Sequence, residues 1–231
     1  MLWWKAWLET RWRLTYCVAI TLLGAFGANF THRPETPADA IRTMSALGII
    51  SIIAACFLAG SGVKTQGFLP VQMKTAGESI YFTLALPVSR LRLLSVRAGV
   101  GLLASWAVNL VAIGTAWILY PAVRGHATFA DLCKFVLAIF VFLAVFHLLA
   151  VLLTTFLDDV WAVWGSTAVW LILVLVATRV ALPHWLNIFR MGAEDSPLTT
   201  HTLPWGEMAV CIAMATGLFL AAKRVVETRE Y

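Results

Sequence analysis

From Phe135 to Leu157 the chain carries no aspartate, glutamate, lysine or arginine. An apolar run of that length matches the roughly 20 residues a helix needs to cross the hydrocarbon of a bilayer. A helix is the form such a run takes there, because it satisfies its own backbone N–H and C=O groups where no water can. Comparable runs extend over about 14–30, 44–63, 98–120, 160–182 and 205–222. The pattern predicts an all-α polytopic membrane protein: six transmembrane helices in a single transmembrane domain spanning residues 1–231.

With 61% hydrophobic and only 13% charged residues in 231, the chain lacks the polar surface of a soluble domain, and after six crossings no room is left for a catalytic or nucleotide-binding domain. The net charge of +5 reads as an inner-face bias and as contact with anionic lipid, not as a nucleic-acid surface, since no aromatic-basic motif accompanies it. Cys17, Cys56, Cys133 and Cys211 stand singly in or beside apolar runs, without metal-ligand spacing, and are expected to be small buried hydrophobes. No HExxH, phosphate-binding glycine loop or nucleophile–base pair occurs, so neither a cofactor nor a metal is expected on this chain. Asp158 and Asp159 read as a solvated turn between two helices instead of a catalytic pair.

Residues 1–13, MLWWKAWLETRWR, form an amphipathic pattern. At about 100° per residue, Lys5, Glu9 and Arg13 share one narrow stripe, and Leu2, Trp3, Trp4, Trp7 and Leu8 cover the opposite side. Tryptophan favours the headgroup level, which predicts an interfacial helix on the inner leaflet before the chain turns into the membrane, not the n-region of a signal peptide.

The distribution of basic residues sets the expected orientation. Lys5, Arg11 and Arg13 before the first run, Lys64, Lys74, Arg90, Arg92 and Arg97 between the second and third, and Lys223, Arg224 and Arg229 after the last outnumber Arg33, Arg42, Arg124, Lys134, Arg179 and Arg190. Basic residues resist translocation, so both termini are expected in the cytosol and the protein in the inner (plasma) membrane. Residues 183–205 then lie outside. Their Trp, Phe, Ile and Leu content suggests short helices dipping into the outer interface, a partly re-entrant segment instead of a loose loop.

The connection over 64–97 contains GESIYFTLALPVSRLRLLSVR, which begins at Gly77 and is too polar and too broken by proline to cross. Ser79 to Leu86 suffices for about two turns of helix, and Pro87 stops it, because its ring clashes with the preceding turn and it donates no hydrogen bond. Ile80, Tyr81, Phe82, Leu84 and Leu86 offer more apolar and aromatic surface than a topological connection requires. This stretch resembles the cytoplasmic loop of type-2 ABC transporter permeases, in which a Gly…Leu-Pro-x-Ser-Arg run links the second and third spans. The layout is similar too: an N-terminal interfacial helix, six spans and a re-entrant stretch before the last.

The resemblance implies the permease subunit of an ABC exporter, a homodimer or a pair with a related permease, working with two copies of a separate ATPase that holds the ATP and magnesium. It implies that the short helix is a coupling helix seated in a groove of that ATPase, with Glu78, Ile80, Tyr81, Phe82, Leu84, Leu86, Pro87 and Arg90 as the coupling residues. The large extracellular domain of longer relatives is missing here. A polytopic membrane enzyme and a self-contained channel or carrier are the competing readings.

Two polar residues fall inside spans. His147 in the fourth and Asn109 in the third are possible intramembrane polar sites, since such groups are costly in hydrocarbon. A neutral histidine bonded to a neighbouring helix, and an asparagine acting as interhelical glue, are the expected roles. Arg179 and Glu207, near outer span ends, can snorkel and could pair with each other.

Overall fold

The computed structural model describes residues 2–31, 36–59, 89–157, 159–179, 183, 186–192 and 196–228. Among them there is no strand. The helices are α1 (Leu2–Thr31), α2 (Pro37–Leu58), α3 (Arg90–Leu119), α4 (Pro121–His126), α5 (Phe129–Thr154), α6 (Asp159–Arg179), α7 (Pro197–Thr200) and α8 (Trp205–Thr228), with a 3-10 turn at Ile188–Gly192. Among the described residues, three helices are long and apolar enough to cross a membrane: Leu91–Leu119, Phe129–Thr154 and Trp205–Thr228. A shorter apolar stretch, Trp161–Ala177, lies in α6.

The helix starts follow from local chemistry. Thr36, extended and followed by Pro37, accepts a hydrogen bond from the Asp39 amide at 3.2 Å. Thr128 and Asp131 form a reciprocal capping box at the head of α5: the Asp131 amide donates to Thr128 Oγ1 at 3.3 Å and the Thr128 amide to Asp131 Oδ2 at 3.1 Å. Ser89 Oγ accepts from the Arg92 amide at 3.3 Å and opens α3.

Expected boundaries at residues 13, 44, 98, 135 and 222 fall inside helices, since α2 begins at Pro37, α5 at Phe129 and α8 runs on to Thr228. The interfacial segment 1–13 and the first span are one continuous α1, because neither proline nor glycine interrupts residues 2–23. The third span, expected from Ala98, begins as helix at Arg90, since the Ser89 cap starts it directly after the proline-containing motif.

One side of the bundle is built around α2, which touches α1, α3, α4, α5 and α6. Its small residues Ser51, Ala54, Ala55, Cys56 and Ala59 are buried and let its neighbours approach closely. On the other side α5 packs on α8, where Phe142, Phe146 and Phe189 interlock: Phe142 meets Phe146 edge-on at 5.1 Å and Phe189 at 5.7 Å. Phe189 belongs to the 3-10 turn, whose Met191 is fully buried, so this described part of the 183–205 connection is packed into the bundle.

Cys17, Cys56 and Cys211 are buried as expected, but Cys133 is exposed. Asp131, Leu132 and Phe135 take the inward face of the first turns of α5, which turns position 133 outward.

Candidate functional site

The residues from Glu78 through Ile80, Tyr81, Phe82, Leu84, Leu86 and Pro87 lie outside the described residues. The description resumes at Ser89, the cap of α3, and Arg90 is the first residue of that helix. The Ser-Arg end of the Leu-Pro-x-Ser-Arg string therefore enters a helix that runs unbroken to Leu119.

That helix is fastened to α1 near its start, and α1 in turn to α2. Arg97 Nη2 donates to Glu9 Oε2 on α1 at 3.2 Å, and Arg13 of α1 lies over the Phe57 ring of α2, 5.5 Å from its centroid. Arg13 also donates to the Phe57 carbonyl at 3.4 Å. The polar stripe of α1 thus faces protein, while Trp3, Trp4, Trp7 and Trp12 are exposed. Burial pushes the Lys5 ammonium below its ordinary value, with Glu9 opposing the shift and Arg97 adding to it.

One turn or so further along, α2, α3 and α5 converge on His147. The ring is completely buried. Its Nδ1 lies 3.1 Å from the Ala55 carbonyl oxygen of α2, and its Nε2 lies 3.0 Å from the Ala98 carbonyl oxygen of α3. Gly101 makes the approach possible. A Cβ there would sit 2.5 Å from the Leu58 carbonyl oxygen and 2.8 Å from His147 Cε1, so any side chain would drive α2, α3 and the ring apart. Further along α3 and α5, Trp106 stacks on Phe140 at 5.1 Å and donates from Nε1 to the Phe140 carbonyl at 3.2 Å. His147 is accordingly bonded between helices, as its position in an apolar run suggested. Its bridging of two helices at once, and the part of Gly101, have no signal in the sequence beyond a glycine eight residues before Asn109.

Asn109 is buried on α3, and its amide nitrogen has no hydrogen-bond acceptor among the described residues. This does not fit interhelical glue donating through the amide nitrogen. Arg179 is exposed at the end of α6, and Glu207 is buried in the first turn of α8.

A second polar cluster sits at the opposite end of α5. Asp131 accepts from Lys134 Nζ at 2.9 Å and from His201 Nδ1 at 2.9 Å, in addition to its capping bonds. Lys134 Nζ also donates to the His201 carbonyl at 2.7 Å. His201 has φ 57, a left-handed conformation unusual outside glycine, and ring and carbonyl contacts hold it there. The ring of His126 lies 5.8 Å from that of His201. Nothing in the sequence joins the head of α5 to His201. Among the described residues no group of His, Cys, Asp and Glu is arranged to hold a metal ion.

No family model matches the chain, and neither a curated protein nor a solved structure matches it.

Proposed function

We propose that this chain is the membrane-spanning permease subunit of an ATP-driven ABC exporter, coupling ATP hydrolysis in a separate subunit to movement of a substrate across the inner (plasma) membrane. Six spans, an interfacial N-terminal segment and cytosolic termini complete the reading. The working unit pairs two permease chains with two ATPase subunits, which hold the nucleotide and magnesium.

The observation that supports this reading best is the join between the motif and α3. Ser89, the serine of the Leu-Pro-x-Ser-Arg string, caps a helix of 30 residues, so there is no slack between the end of the motif and the bundle. ATP binding draws two ATPase subunits together. A short helix gripped by each must follow, and a rigid helix attached to it tilts instead of bending. The links from α3 to α1 through Arg97 and Glu9, and to α5 through Trp106 and Phe140, spread that tilt through the domain.

The test is co-purification. The tagged chain, expressed with an ATPase encoded beside it, is expected to retain that ATPase. Leu84→Asp with Leu86→Asp is expected to abolish retention while the chain still inserts into membranes. Retention unchanged by both substitutions removes the coupling assignment, and transport by the purified chain alone favours a self-contained carrier.

A further inference from the structure

His147 faces two acceptors with one donor to give. A neutral imidazole carries a single N–H, yet both ring nitrogens stand at hydrogen-bond distance from carbonyl oxygens, 3.1 Å to Ala55 and 3.0 Å to Ala98. Whichever nitrogen lacks the proton presents its lone pair to the lone pairs of an oxygen, a contact that attracts nothing. The two distances are so alike that neither tautomer is singled out by geometry. Each carbonyl can also release the ring at little cost, because each lies within a helix. Ala55 O already accepts from the Ala59 amide at 3.0 Å, and Ala98 is an interior residue of α3, where the amide four residues on takes its carbonyl.

We infer that His147 is a two-position fastener, holding α5 to α2 when the proton is on Nδ1 and to α3 when it is on Nε2. The two helices concerned are those on either side of residues 60–88 in the chain. Moving the proton therefore transfers the grip of α5 from one flank of that segment to the other. The exchange balances with one water molecule that reaches the ring as the helices part: the water gives a proton to the bare nitrogen and takes one from the other, and both leave unchanged in composition. Gly101 sets how evenly the two positions are matched, since its bare Cα lets α3 come as near to the ring as α2 does. The inference stands on this junction alone and does not depend on what residues 60–88 bind.

Nitrogen-15 solid-state NMR tests it, on the full chain with labelled histidine in phosphatidylcholine vesicles at neutral pH. The signals of His147 are found by difference against His147→Gln. If that variant does not fold, a chain with the other four histidines replaced by glutamine leaves His147 as the sole label. Two pairs of nitrogen signals are expected, one for each tautomer, where a fixed ring gives one pair. Gly101→Ala, which displaces α3, is expected to collapse them to the form protonated on Nδ1. One tautomer alone in the unmodified chain overturns the proposal, and so does a ring protonated on both nitrogens, which would grip both helices together. No ATPase and no cargo enter the measurement, so its failure is separate from any failure of the exporter reading.

Discussion

Arg97 of α3 donates from Nη2 to Oε2 of Glu9 on α1 across 3.2 Å, with the arginine side chain 9% exposed and the glutamate 27%. The pair is too covered to be a solvated surface bridge and too open to carry the full desolvation of a buried one. It joins the N-terminal helix to the helix that follows the Leu-Pro-x-Ser-Arg motif.

Glu9→Gln keeps the shape of the side chain and removes its charge. We expect a loss of about 1 kcal/mol, between the values for exposed and buried pairs, read as a lower thermal midpoint of the purified protein in detergent. An unchanged midpoint would mean that the helices hold together without this link.

Two glycines of α3 give a paired comparison. A Cβ on Gly101 collides with the Leu58 carbonyl and the His147 ring, whereas a Cβ on Gly114 meets nothing within 4 Å. Gly101→Ala is expected to destabilise by about 1–3 kcal/mol through overpacking. Gly114→Ala should be neutral or stabilising by about 0.5–1 kcal/mol, because alanine forms helix better than glycine. Equal midpoints for the two variants would show that α2 and α3 can separate freely.

Asp131→Ala removes half of a capping box together with the contacts to Lys134 and His201. The His201 backbone, left-handed and held by those contacts, then loses its main support. Hydrogen exchange is expected to speed up over residues 196–204 and at the first turn of α5, with the rest of α5 protected. Protection of 196–204 that survives the substitution would assign their order to Leu198 and Pro197 packing instead.

Asn109→Leu replaces a buried amide, whose nitrogen finds no acceptor among the described residues, by an apolar side chain of similar volume. Burying an unsatisfied donor costs about 1–3 kcal/mol. The variant is therefore expected to be as stable as the parent or more so. A drop in the midpoint of more than about 1 kcal/mol would restore the amide as a helix-joining group.

Much of the helical layout was legible because its causes are local. The apolar run at 135–157 marks most of α5, although the helix itself opens six residues earlier, at Phe129. Polarity changes at residues 13 and 98, but the backbone conformation does not. A backbone free of proline and glycine carries a helix straight through such a change. The exposure of Cys133 could be read only once the inward face of α5 was known.

Composition and periodicity alone determined that the chain is helical and apolar enough for a membrane, since hydrogen bonding within a helix and transfer of side chains from water are properties of short stretches. Tertiary structure decided which side of α1 turns inward, placing Lys5, Glu9 and Arg13 against protein and the tryptophans outside. It also decided that one histidine meets the carbonyls of residues 92 and 49 positions away in the chain. Such meetings depend on how closely three helices can approach, and that distance is set by which small residues happen to face each other, a matter no single stretch of sequence contains.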